Sequence, residues 1–85
     1  MASCKLQIKP SAAKEFEGLP IDDRRRIVER IAALAAEPRP AGCEKLSGLD
    51  KYRVRQGSYR VLYAIDDAAY SVTVVKVGHR RDVYR

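Results

Sequence analysis

After a short alternating stretch at its start, the apolar positions of this 85-residue chain follow a helical period to about residue 36, and a period of two from residue 52 on. Leu6 and Ile8 alternate with Lys5, Gln7 and Lys9, which predicts a short strand that Pro10 ends. Ser11 is a suitable N-cap for a short helix over 11–18, and Pro20 then breaks the chain. Asp22 or Asp23 can cap a second helix running to about Ala36. Ile27, Val28, Ile31, Leu34 and Ala35 form its apolar stripe. Arg24, Arg25, Arg26 and Arg30 fall largely outside that stripe, as a solvated face or as a surface for a partner. The stretch EPRPAG (37–42) reads as a loop, and EKLSGLD (44–50) continues it.

Residues 52–56, 59–65 and 70–77 are rich in Val, Ile and Tyr and alternate as strands do. Gly57-Ser58 is a two-residue loop suited to a type II′ hairpin, and 66–69 supplies the next turn. The expected fold is therefore α+β. A single small domain spans residues 1–85. It has an N-terminal strand, two helices and a three-stranded antiparallel meander, with the helices packed on one face of a mostly antiparallel sheet.

The hairpin turn fixes a register. Gln56 faces Tyr59, Arg55 faces Arg60, Val54 faces Val61, Arg53 faces Leu62 and Tyr52 faces Tyr63. Directly opposed residues share a face. One face then carries Tyr52, Val54, Val61, Tyr63 and Ile65, a core face. The other gathers Arg53, Arg55 and Arg60. Like charges opposed across a ladder destabilise it. Either they splay into water and pair with Asp66, Asp82 or Glu44, or they form a preformed anion site. The planar fork of arginine suits a phosphate. In a regular third strand, Val72 and Val74 join the core face, and Val75, Val77 and His79 join the arginine face. The tail would then bring His79, Arg80, Arg81 and Tyr84 to one cationic concavity. A bulge, for which the neighbourhood of Gly78 is suited, would break this parity.

Charge sharpens this picture. The net charge is +6, yet residues 1–50 hold nine Lys/Arg against eight Asp/Glu, while residues 51–85 hold eight against three. The excess cations lie in the strand half, which favours an anionic partner such as nucleic acid or an acidic protein. Cys4 and Cys43 are far apart and lack CxxC spacing, so they read as free thiols in a reducing compartment. The N-terminus has no apolar h-region, and no apolar run is long enough to span a bilayer. The expectation is a soluble, cytoplasmic chain without a membrane partner.

One histidine and no Cys/His/carboxylate cluster speak against a zinc site. The scattered glycines form neither a P-loop nor a dinucleotide fingerprint. No cofactor is expected. Arginines, a histidine and tyrosines can still bind a phosphodiester, stabilise its extra charge in a transition state and move protons without metal. RNA can be cut in that way, because its own 2′-hydroxyl attacks the neighbouring phosphorus. Mere binding uses the same residues.

The stretches KYRVRQGSYRVLYAIDD and VTVVKVGHRRDVYR resemble the RelE branch of the RelE/ParE toxin superfamily of prokaryotic toxin–antitoxin pairs. The similarity takes in the opening strand, both helices and the LSGL approach to the hairpin. It implies a toxin that enters the ribosomal A site and cleaves messenger RNA there, as a metal-independent endoribonuclease. It also implies a cognate antitoxin that wraps and blocks the toxin, with operator DNA bound only indirectly through the antitoxin. Matched to the family's motifs, Arg53, Arg55, Arg60, Arg80 and Tyr84 would line the active site. Arg60 and Arg80 would act on the scissile phosphate. Tyr84 would stack the base or orient the 2′-hydroxyl. Arg53 and Arg55 stand where lysines can stand in the family. Arginine stays charged under nearly all conditions, so here they are electrostatic groups rather than bases. His79 has the only unperturbed pKa suited to a general base; otherwise it is a strand-end residue hydrogen-bonded to backbone. Arg81 would bind ribosomal RNA or pair with Asp82. The alternatives are a ParE-like inhibitor of DNA gyrase without nuclease activity, and a non-catalytic RNA- or ribosome-binding module.

Overall fold

In the computed structural model, residues 4–46 and 51–81 are described. The elements run β1 (Lys5–Ile8), α1 (Pro10–Glu17), α2 (Ile21–Ala36), β2 (Glu44–Lys45), β3 (Lys51–Gln56), β4 (Tyr59–Asp66) and β5 (Ser71–His79). The strands form one sheet in the order β1-β5-β4-β3-β2. β1 lies parallel to β5, and the other pairings are antiparallel. The expected α+β plan holds, with one strand added. Glu44–Lys45, read from sequence as loop, pairs with Arg53 and Tyr52 of β3.

Both helices begin one residue or more before the expected caps. Lys9 occupies the first cap position with Pro10 in the first turn, and Pro20 occupies the second. Neither makes a side-chain cap hydrogen bond. Proline suits a first turn because its missing N–H has no partner to lose there. Asp22 and Asp23 sit in the first turn of α2, where a negative charge favours the helix dipole.

The core lies between the helices and one sheet face. Ala12 of α1 and Ile27, Ile31 and Leu34 of α2 meet Val54, Val61, Tyr63, Ile65, Val72, Val74 and Val77. Val28 departs from the expected stripe. It is 50% exposed and, with Leu6, Ile8, Phe16, Ile31, Ala32 and Val77, lines an apolar groove of about 150 Å³. Tyr63 is fully buried, and its hydroxyl donates to the Pro38 carbonyl at 2.7 Å. The same loop is clamped again by Arg39. Its two terminal nitrogens donate to the Asp67 carboxylate at 3.0 and 2.9 Å, and Nε donates to the Tyr52 hydroxyl at 3.2 Å. These contacts bring the 37–43 loop down onto the sheet edge just before β2.

The hairpin register is the expected one in all five pairs, from Gln56–Tyr59 to Tyr52–Tyr63. Gly57 has φ 60° and Ser58 is outside the left-handed region, as a type II′ turn requires. β5 corrects the expectation. Its ladder with β4 slips between Leu62 and Tyr63: Leu62 faces Lys76, but Tyr63 faces Val74. Val75 is the extra residue of a β-bulge. Glu15 of α1 accepts the Val77 N–H beside this irregularity, at 3.4 Å. The bulge reverses the parity of everything that follows it. Val77 faces Val61 and is buried in the core, and His79 faces Tyr59 on the helix side. Neither joins the arginine face.

Ile27 joins α2 to the sheet centre with no exposure. Ile27→Ala should cost about 2–5 kcal/mol through lost burial and a residual cavity. Urea unfolding should show a lower midpoint at unchanged slope.

Candidate RNA-binding face

The face of the sheet away from the helices carries two rows set by the ladders. At the hairpin end, Arg55, Arg60 and Gly78 stand side by side across β3, β4 and β5. In the next row stand Glu44, Arg53, Leu62 and Lys76. Leu62 is only 9% exposed on this uncovered face. Its ladder neighbours, Arg53 and Lys76, have aliphatic stems that can cover it while their charges reach water.

Each arginine is held differently. Both Arg53 and Arg55 bind Glu44: Arg53 Nη2 donates to Oε2, and Arg55 Nη2 lies 3.2 Å from Oε1. The Arg53 hydrogen bond, reinforced by the charge of both arginines and of Arg60, holds the Glu44 carboxyl below the usual carboxylate range. Glu44 was one of three acids expected as partners, and it serves two of the three hairpin arginines. Arg60 instead folds toward the turn, its Nη1 donating to the Tyr59 carbonyl at 3.2 Å and the Gly57 carbonyl at 3.4 Å. Among the described residues no carboxylate pairs with Arg60, Arg80 or Arg81.

The tail is tied to the hairpin. The Arg80 N–H donates to the Ser58 carbonyl at 2.8 Å, so β5 runs out level with the turn. Arg80 and Arg81 are exposed there. A Cβ at Gly78 would meet nothing within 4 Å, so the floor between Arg60 and the tail is open. His79 packs edge-on against the Tyr59 ring, at 5.8 Å and 83°. Its Nδ1 accepts the Arg81 N–H at 3.2 Å. That is the backbone-bonded alternative for this histidine, and it fixes the turn that carries Arg80 and Arg81. Burial pushes the Tyr59 phenol up, and the neighbouring Asp23 carboxylate adds to the shift. Tyr84 and Asp82 lie outside the described residues.

The structure thus sets Arg55 and Arg60 side by side at the hairpin end, brings the Arg80 backbone to the same end, ties Arg53 to Glu44 one row back, and turns His79 to the helix side. Sequence reasoning did not single out Gly78 as a site feature or Glu44 as a shared counter-ion. A glycine in a strand beside a cationic row was the available signal for the first. Among the described residues no group of three or more His, Cys, Asp or Glu side chains could hold a metal ion, and no helix is long and apolar enough to cross a membrane.

Comparison with known proteins agrees with the fold. Residues 6–84 match the family model for the ParE toxin of the type II toxin–antitoxin system parDE. Toxin RelG of Mycobacterium tuberculosis is 47% identical over 34 residues, covering 40% of this chain and only 39% of RelG. The archaeal RelE–RelB complex of Pyrococcus horikoshii contains a chain similar to this one. It is 29% identical, with a TM-score of 0.84, covering 94% of this chain and 98% of that one. In the intact RelBE toxin–antitoxin complex of E. coli the similar chain is 28% identical, with a TM-score of 0.79, over 91% of this chain and 96% of that one.

The depressed carboxyl of Glu44 gives a signed expectation. A carboxylate held below its unfolded value, about 4.3, stabilises the fold fully above that value and loses its contribution as pH falls through the folded one. The difference in melting temperature between the parent and Glu44→Gln should therefore be largest near neutrality and shrink in acid. A gap independent of pH would mean that the charge of Glu44 contributes nothing.

Proposed function

This chain belongs to the ParE toxin family of type II toxin–antitoxin systems, within the RelE/ParE superfamily. We propose that it is the toxin of such a pair and that it acts as a ribosome-dependent endoribonuclease, cleaving messenger RNA in the A site. The observation that carries this reading is the row Arg55–Arg60–Gly78, two guanidinium groups and an open floor on a face that none of the described elements covers. A folded strand of RNA can lay its backbone along such a row, and arginine forks fit its phosphate oxygens.

In the proposed reaction the 2′-hydroxyl oxygen attacks the adjacent phosphorus while its proton is removed. The phosphorane carries an extra negative charge, which Arg60 and Arg80 stabilise and which Arg53 and Arg55 support from the β3 side. The bond to the 5′-oxygen then breaks, that oxygen takes up a proton, and a 2′,3′-cyclic phosphate remains. Fixed cations aimed at developing charge are worth more than the same groups in water, because they need no reorganisation. Tyr84 is assigned to stacking on the splayed base or orienting the 2′-hydroxyl, with proton transfer. Arg81 is assigned to ribosomal RNA. His79 serves by holding the Arg80–Arg81 turn through Nδ1, rather than as the base expected from sequence.

The partner proposed for regulation is an antitoxin, as in the RelE–RelB and RelBE complexes that this chain resembles. Operator DNA would be met only through that antitoxin. A second reading, a ParE-like gyrase inhibitor, is favoured by one observation: the matching family model is that of the ParE toxin.

Purified protein added to cell-free translation of a defined message should produce breaks within codons, mapped by primer extension, only when ribosomes are present. Intact message together with loss of gyrase supercoiling would favour the second reading. Arg60→Ala or Tyr84→Ala should lower cleavage by about 10²–10³-fold while leaving the fold intact by circular dichroism. Gly78→Val should keep the melting temperature, since its Cβ has open space, yet cut cleavage about tenfold or more by displacing the strand from its floor.

A further inference from the structure

Glu44 carries a role that the cleavage chemistry leaves unassigned. It stands on a two-residue strand whose pairing sets it directly opposite Arg53. Its two carboxylate oxygens go to two different arginines, Oε2 to Arg53 and Oε1 to Arg55. A carboxylate and a phosphodiester are both monoanions that offer two equivalent oxygens, so the donors that hold one can hold the other. The two arginines differ in exposure. The Arg53 side chain is 19% exposed, whereas that of Arg55 is 58% exposed. Arg53 is the enclosed arm of the pair. Arg55 is the open arm, beside Arg60 in the row at the hairpin end.

We infer that Glu44 is an internal stand-in for a phosphate: it anchors Arg53 permanently and occupies Arg55 until a phosphate of the bound strand takes its place. This rests on the RNA-binding reading above and adds the group that regulates it. While the site is empty, Glu44 offsets the repulsion between Arg55 and Arg60, which face each other across the ladder. On binding, the incoming phosphate takes over from Glu44 in offsetting the repulsion between Arg55 and Arg60, and Glu44 retains Arg53. Glu44 is thus a positioning residue that acts through Arg55. It trades affinity for a cationic row that is stable without ligand. The supports of β2 belong to the same device, because Tyr63 and Arg39 fasten the loop that leads into it.

The test is a double-mutant cycle on binding, with no chemistry involved. The probe is a single-stranded 2′-O-methyl oligoribonucleotide, which has no free 2′-hydroxyl and cannot be cut. Affinity is read by fluorescence anisotropy across a salt series. Glutamine keeps an oxygen for Arg53 but removes the charge on Arg55. Glu44→Gln should tighten binding about two- to fivefold at low salt, the worth of one exposed ion pair. In the Arg55→Ala background the same change should lose most of that gain, because the group through which it acts is gone. An equal gain in both backgrounds, or weaker binding on Glu44→Gln alone, would overturn the inference. If the parent protein does not bind the strand, the RNA reading falls. The exchange itself is then decided by titrating inorganic pyrophosphate and following the arginine Nε–Hε resonances. Arg55 should respond at lower pyrophosphate in Glu44→Gln than in the parent, and identical responses would overturn the exchange.

Discussion

A sheet has two faces, and in this fold only one of them can be covered. The two helices bury Val54, Val61, Tyr63, Ile65, Val72, Val74 and Val77 against Ala12, Ile27, Ile31 and Leu34. Apolar burial is the main favourable term in such a small domain. It fixes which side of every strand turns inward. The alternating pleat then delivers the intervening residues to the uncovered side, whatever their charge. Arg53, Arg55, Arg60 and Lys76 are cationic neighbours because their apolar partners in the alternation are wanted in the core.

That arrangement concentrates positive charge on a surface of a few residues, and the structure answers the repulsion locally. Glu44 ties two of the arginines, and Arg60 bends to the carbonyls of its own turn. Leu62 stands between Arg53 and Lys76 in the ladder. The same feature that makes the face costly to assemble makes it receptive to a polyanion. Stability and function draw on opposite sides of one electrostatic balance.

Much of this was legible in the residues. Gly57-Ser58 names its turn type, a two-residue turn leaves one register, and the arginine pairing follows without further information. The helices were legible from their stripes, although Lys9 and Pro20 rather than Ser11 or the aspartates took the cap positions. Two things were not. β2 is only two residues long and has no alternation to detect; it exists because β3 offers it an edge. The bulge at Val75 has no mark in a run of valines, since VTVVKV fits a regular strand equally well. It lies where β5 packs against α1, with the Val77 N–H on Glu15, a tertiary matter. Parity counted past it is therefore inverted, which is why His79 was expected beside the arginines and lies beside Tyr59 instead.

The bulge has a consequence for how such a chain can vary. Because one surplus residue decides which way the end of β5 faces, the spacing between Val74 and Gly78 is as much a part of the cationic surface as the arginines are. Substitutions along this stretch can be graded, but a change of length cannot. Losing one residue would turn Val77 outward and drive the following glycine and arginines toward the packed side. Insertions and deletions, tolerated in the loops of most small domains, should thus be barred from these five positions even in relatives whose residues there differ freely.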